Sequence, residues 1–300
     1  MIHEIFPRKY DPEYTDRRAE DGDHILSYEK DGILVKYTSG TAELPTFKDL
    51  ESLLGSDYAG FKENAYYLFK IDNDSYYENE LPGKLRSELP FCKEMPDEEE
   101  KTDFFYIKIH YFRELNPVHM VFAGATGYHI RNWKRTVAHC GVCGGTTSPS
   151  KTERAFVCDN CSHAAYPVIS PAVIVAITNG NKLLLVRNLR RPKNVRLELV
   201  SGYVEIGESF EDAVHREVME EVGLKVKNVR FYKDQPWGIS GAHMIGFYAD
   251  VDGDDAIVRQ EDEISEAKWY EREEIPEYRN RLSVGSEMIL KFKTGEYPKG

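Results

Sequence analysis

Residues 202–224, GYVEIGESFEDAVHREVMEEVGL, space carboxylates so that they can do metal chemistry. Glu217 and Glu221 are four residues apart and Glu220 is three from Glu217, so on a helix all three share one side. Like charges at that spacing destabilise an isolated helix by about a few tenths of a kcal/mol per pair, which suggests that a cation sits among them. Oxygen-only ligands favour magnesium or manganese. A merely solvated acidic helix face is the usual meaning of a Glu-rich helix in an acidic protein. Here the spacing decides against it. The stretch obeys G-x5-E-x7-R-E-U-x-E-E-x-G-U (U apolar) at Gly202, Glu208, Arg216, Glu217, Val218, Glu220, Glu221, Gly223 and Leu224. Seven fixed identities coincide by chance roughly once in 10^8 starting positions.

A second constellation is CGVCGGTTSPSKTERAFVCDNC, in which fourteen residues separate the pair Cys140 and Cys143 from the pair Cys158 and Cys161. Two C-x2-C knuckles can wrap four thiolates tetrahedrally around zinc. All four ligands come from protein, so the zinc is expected to be structural and to hold together a ribbon too small for its own core. A redox C-x-x-C competes less well, because the repeat is paired at ribbon spacing.

Several elements must position these groups. Ser209 with Asp212 makes a capping box and Gly223 a stop, so the spacing predicts a helix between them with Ala213, Val214, Val218 and Val222 on one apolar face. Upstream, residues 171–177 and 182–186 read as a buried hairpin around Asn179-Gly180-Asn181. The loop before the helix carries Arg187, Arg190, Arg191, Lys193 and Arg196, either a solvated run or a guide for a polyphosphate. Residues 225–231, 242–250 and 267–270 read as strands and 283–292 as a closing helix, which predicts a mixed sheet covered by helices. Residues 1–128 are rich in Tyr, Phe, Asp and Glu, with strands at 32–37, 65–71 and 104–109 and a short helix at 46–54. The acidic run 97–100 reads as a solvated loop, and Cys92 as a small buried or half-buried thiol. Residues 121–135 read as a helix whose basic edge, His129, Arg131, Lys134 and Arg135, is a solvated helix end rather than a nucleic-acid contact.

The whole chain sets bounds. Its 300 residues with 41% hydrophobic content suffice for proper cores, and a net charge of -12 argues against broad phosphate-backbone binding. Neither a signal architecture nor a membrane-length apolar run occurs, and the cysteines do not suggest a secreted disulfide framework, so a cytoplasmic protein is expected.

The motif of residues 202–224 is the Nudix box. With the four-cysteine ribbon before it and Gln235-Pro236-Trp237 after it, the chain resembles the zinc-ribbon Nudix hydrolases called NADH pyrophosphatases or NAD(+) diphosphatases. The likeness covers residues 104–292 well and residues 1–100 only in character. It implies an α+β chain: an N-terminal, mostly β domain (1–130), a zinc ribbon (131–166) and a Nudix α/β/α sandwich with a mixed sheet (167–300).

The resemblance also implies metal-dependent cleavage of the pyrophosphate of NAD(H) to nicotinamide mononucleotide and AMP. The alternatives are ADP-ribose or another nucleoside diphosphate derivative, or removal of NAD caps from RNA. Glu217 and Glu221 match the family's metal-binding glutamates, with Glu220 assisting, Glu263 as a further ligand and the Ser201 carbonyl as another. Arg216 is read as a helper that orients Glu208 or a box glutamate. Tyr166, Gln235, Pro236, Trp237, Gly238, Ile239, Ser240, Gly241 and Ala242 match substrate contacts, and Gly285 a small residue near the nucleotide. The family's SQPWPFPxS is here Asp234-Gln-Pro-Trp-Gly-Ile-Ser-Gly-Ala242, so the aromatic-proline half is missing. A homodimer is implied, with no membrane and no nucleic acid other than NAD-capped RNA.

Overall fold

The computed structural model describes residues 1–38, 40–92, 103–189, 197–276 and 282–298. These form two compact units, one of residues 2–168 with 238–240, the other of Met1 with 169–237 and 241–300. Among the described residues no helix is long and apolar enough to cross a membrane.

In the first unit, alternating aromatic and aliphatic residues make strands. β1 (Gly32–Thr38), β2 (Tyr66–Ile71), β3 (Asp74–Glu78) and β4 (Phe104–Lys108) belong to two sheets, β1 pairing with β4 and β2 with β3, both antiparallel. Helix α1 (Phe47–Leu54) starts at Thr46, whose hydroxyl accepts the Asp49 N–H while the Asp49 carboxylate accepts the Thr46 N–H. This capping box fixes the helix where its apolar stripe, Phe47, Leu50 and Leu54, is buried. Helix α2 (Val118–Thr136) has a basic edge that is solvated at Arg135, as expected, but not at Arg131 and Lys134. Arg131 is only 4% exposed, and Lys134 donates to the buried Glu78 carboxylate and lies 4.5 Å over the Tyr66 ring. Charge pattern alone does not show that a buried acid waits on a neighbouring strand.

The ribbon strands β5 (Thr147–Pro149), β6 (Phe156–Cys158) and β7 (Ala164–Ala165) form a three-stranded antiparallel sheet. Its apolar contribution is small, and it packs on larger neighbours. Phe156 meets the Tyr66 ring at 5.8 Å and Trp133 at 5.4 Å, and Tyr14 Oη donates to the Ser150 carbonyl at 2.9 Å. Arg154 donates to the Leu68 carbonyl and, at 3.2 Å, to that of Pro12, with its guanidinium 5.4 Å from the Tyr14 ring. Residues 238–240 cluster with this unit. A Cβ on Gly238 would fall 2.3 Å from the Ala125 carbonyl oxygen, a close approach that leaves no room for the proline of the family signature.

In the second unit, Gly180 (φ 59°) turns the hairpin between β8 (Ser170–Asn179) and β9 (Lys182–Asn188) as expected. With β10 (Val200–Tyr203), β11 (Val226–Trp237), β12 (Ala242–Val251) and β13 (Ile264–Glu271) they make a six-stranded mixed sheet. The order is β11-β12-β8-β9-β13, with β10 also on β8, and β8 runs parallel to β12. Val173, Val175, Phe247 and Ala249 face α3 (Phe210–Val222), through its Ala213, Val214, Val218 and Val222. Ala176, Leu183 and Tyr248 face α4 (Val284–Thr294), through Met288, Ile289 and Phe292. Period two in the strands thus supplies both faces of an α/β/α sandwich, and the expected α+β class with a mixed sheet is borne out. Arg154→Ala should lower stability by about 1–3 kcal/mol, since it strands the carbonyl of the buried Leu68. The denaturant midpoint of the intact, metal-loaded chain measures this.

Candidate active site and metal centre

Ser209 and Gly223 bound α3 as their chemistry requires. The Ser209 hydroxyl accepts the Asp212 N–H at 3.1 Å, and Gly223 takes the left-handed conformation at φ 69°. The reciprocal half of the expected capping box differs: the Asp212 carboxylate accepts from the Ser209 hydroxyl at 2.6 Å. So anchored, α3 turns Glu217 over β10, where a Cβ on Gly202 would lie 2.0 Å from the Glu217 carboxyl carbon. The first glycine of the motif is there because the strand backbone and the carboxylate occupy adjoining space.

Arg216 organises the acids. Its Nε and Nη2 donate to the two oxygens of Glu208 at 2.7 and 2.9 Å, a bidentate pair. Nη1 donates to Glu217 at 2.7 Å and Glu220 at 3.0 Å, and Nη2 also to the Tyr203 carbonyl at 2.9 Å. The guanidinium, with the Glu205 N–H, holds the Glu208 carboxyl down at about 2. Glu221 is different. It is 5% exposed, and burial, reinforced by the charges of Glu217, Glu263 and Glu198 and opposed by a hydrogen bond from the Ser201 N–H, pushes its carboxyl up to about 8. Burial also raises Glu217 despite Arg216, with Glu220 and Glu263 adding to the effect. The structure therefore brings Ser201, Glu208, Arg216, Glu217, Glu220, Glu221 and Glu263 into one electrostatic cluster. Its donors are all oxygen, and its inner carboxylates destabilise one another, which fits a hard divalent cation.

Glu198 is a member that the motif does not announce. Alternation along Leu197-Glu198-Leu199-Val200 was the available signal: Leu197 and Leu199 pack on the α4 side, Val200 on the α3 side, and Glu198 shares the face of Val200. Arg187 pairs with Glu266 at 3.1 Å, whereas Arg190, Arg191, Lys193 and Arg196 lie outside the described residues, as does the acidic run 97–100.

The segment after the helix is more internal than a row of ligand contacts. Gln235 is 0% exposed; its Nε2 donates to the Leu282 carbonyl at 2.9 Å and its Oε1 accepts the Val284 N–H at 2.7 Å, so it ties β11 to the start of α4. Trp237 and Ile239 are half-buried, Pro236 and Ser240 exposed, Gly238 and Ala242 buried, and Gly241 turns at φ 78°. Gly285 lets α4 approach β8, since a Cβ there would meet Ile174 Cδ1 at 2.7 Å. Tyr166, 54% exposed, donates to Glu153 at 3.2 Å and belongs, with residues 238–240, to the unit that contains the ribbon.

In the ribbon the ligand atoms of Cys140, Cys143, Cys158 and Cys161 all lie within 4.8 Å of one another, and none is in a disulfide. The Sγ pairs 140–161 and 143–158 are 3.7 and 3.5 Å apart, close to the roughly 3.8 Å that four Zn–S bonds of about 2.3 Å impose tetrahedrally. Backbone N–H groups of Val142, Asn160 and Cys161 point at sulfur at 3.4 Å, and the Gly145 N–H with the Asn160 amide lowers the Cys143 thiol to about 6. The four thiols fit a structural zinc ion.

Residues 168–289 match the NUDIX domain. Curated relatives include the NAD-capped RNA hydrolase NudC of Mannheimia succiniciproducens, 39% identical over 170 residues, which is 54% of this chain and 63% of that protein. That of Actinobacillus succinogenes is 43% identical over 150 residues, 48% of this chain and 56% of its own. The chain thus spans about three fifths of the length of the relatives it matches, and the resemblance to the zinc-ribbon Nudix family is borne out over that part. A Nudix hydrolase crystal structure from Nitrosomonas europaea aligns with 52% of this chain and 90% of its own at a TM-score of 0.44 and 21% identity, too distant to carry an argument.

The raised Glu221 carboxyl makes stability depend on pH. Its contribution is fully present below the unfolded value near 4.5 and is lost as pH rises through about 8. Metal-free protein should therefore lose on the order of a few kcal/mol across that window, and Glu221→Gln should flatten the loss. Melting curves from pH 5 to pH 9 measure it. Gly202→Ala should displace Glu217 and weaken divalent-metal binding by about tenfold or more, read by manganese titration of the folded variant.

Proposed function

We propose that the chain hydrolyses the pyrophosphate bond of an NAD-type dinucleotide to nicotinamide mononucleotide and AMP. The observation that carries this proposal is the oxygen-lined cluster around Glu221, in which one buried carboxylate feels the charges of Glu217 and Glu263 while Arg216 is drawn to Glu208, Glu217 and Glu220. The Nudix segment and the names of the relatives support it. Those names also favour a second substrate of the same chemistry, the NAD cap of an RNA, in which the same bond is cut.

Glu217, Glu221 and Glu263, with Glu220 and the Ser201 carbonyl, would hold magnesium or manganese, which when bound neutralises pyrophosphate oxygens and acidifies water. Arg216 keeps Glu208, Glu217 and Glu220 in register and leaves little of its own donor capacity for phosphate. Glu221 accepts the proton of the attacking water. Water adds to one phosphorus, the bridging P–O bond breaks, and each mononucleotide leaves with its own phosphate. Trp237 is placed in this proposal as a flat surface for base or ring, and Gln235 as the brace that fixes the strand carrying it. Zinc in the ribbon is structural, and the active form is a cytoplasmic homodimer.

Chromatographic product analysis with NADH, NAD, ADP-ribose, diadenosine polyphosphates and NAD-capped RNA, each with magnesium or manganese, tests the assignment. Release of nicotinamide mononucleotide from NADH, NAD or the cap is expected to outpace hydrolysis of the other substrates. Preferred cleavage of ADP-ribose would overturn it. Glu221→Gln should lower turnover by about a hundredfold or more while the zinc content stays unchanged.

A further inference from the structure

A groove of about 620 Å³ opens beside the N-terminal end of α3, on the sheet face that α3 covers. Phe231, Ile245 and Phe247 line it from β11 and β12, and Phe210 lines it from the helix. Phe210 and Phe231 are 45% and 58% exposed, an unusual placement for two rings that border one cavity. At its rim Asp234 Oδ1 lies 3.1 Å from His243 Nε2. Among the described residues Asp234 Oδ2 and the Glu211 carboxylate have no protein partner, and neither lysine nor arginine lines the groove. None of these residues belongs to the carboxylate cluster of Glu217 and Glu221.

We infer that this groove is a binding site for an organic cation with a flat apolar body. Aromatic faces attract a cation through their quadrupole, and two carboxylates at the rim complement its charge. The same carboxylates repel a phosphate, although a helix N-terminus ordinarily favours one. Here the first turn of α3 already carries Glu211 and Asp212, and Ser209 has taken the Asp212 N–H. A neutral ring would fill the volume but leave the acidic rim unanswered. The volume lies in the range of small-molecule sites. This assignment stands independently of the hydrolytic one.

Calorimetric titration of the full chain at neutral pH with N-methylquinolinium, with neutral quinoline and with inorganic phosphate provides the test. The cation is expected to bind about tenfold more tightly than quinoline, and phosphate not to bind in the groove. Asp234→Asn and Phe231→Ala should each weaken the cation by about three- to tenfold with unchanged melting temperature. Equal affinity for quinoline and its cation, or unchanged affinity in both variants, would overturn the inference. So would a preference for phosphate competing with the probe, or exclusion of the probe accompanied by a doubling of mass, which would give the groove to a second copy.

Discussion

Acidic side chains repel one another, yet the N-terminal loop and inner face of α3 hold Glu208, Glu217, Glu220 and Glu221 together with Glu263 close by. Arg216 reconciles the outer members through hydrogen bonds of 2.7–3.0 Å to three carboxylates. Charge-assisted bonds of this type are worth about 1.5–3 kcal/mol each when shielded from water, and less at a partly exposed site such as this one. Glu221 receives no such help from Arg216. Its carboxyl is raised by burial first and by its acidic neighbours second, and the Ser201 N–H only partly offsets this. The remaining electrostatic cost is what makes the site selective for a cation. The glycines of the motif follow from the same constraint: Gly202 clears space for Glu217, and Gly223 ends the helix before Leu224 turns into the core.

The ribbon solves a different problem by related means. Four thiols within 4.8 Å of one another would also be unfavourable if all were ionised, and N–H groups directed at sulfur prepare them for a metal. Its three strands are too short to bury a core, so it leans on the aromatic contacts of Phe156 and the anchoring of Arg154, and its four thiols fit a zinc ion that would add to these. A metal would therefore stand in for hydrophobic burial in the ribbon and answer surplus negative charge beside α3.

Much of this was legible in the sequence because the information was local. The cap at Ser209, the turn at Gly180 and the stop at Gly223 are set within four residues of the groups they serve and were found where expected, and the helices read from 46 and 283 begin on caps of the same local kind. What escaped depends on partners far along the chain. Arg131 and Lys134 look like a solvated edge until Glu78 and Glu80 are placed beside them. Gln235 is a strand-to-helix brace only because residues 282 and 284 return to it. Gly238 departs from the family signature where the Ala125 carbonyl leaves no room for a side chain. Glu198 was visible through strand alternation, but its significance rests on the burial of Glu221.

The central claim is that Glu221 is held largely protonated near neutrality by burial and by its acidic neighbours until a divalent cation relieves them. Calorimetric titration of the metal-free protein with magnesium or manganese at pH 7, repeated in buffers of different ionisation enthalpy, counts the protons released on binding. Release of close to one proton per site, abolished in Glu221→Gln, is the predicted result. Metal binding with no proton release, or with the same release in that variant, would contradict it.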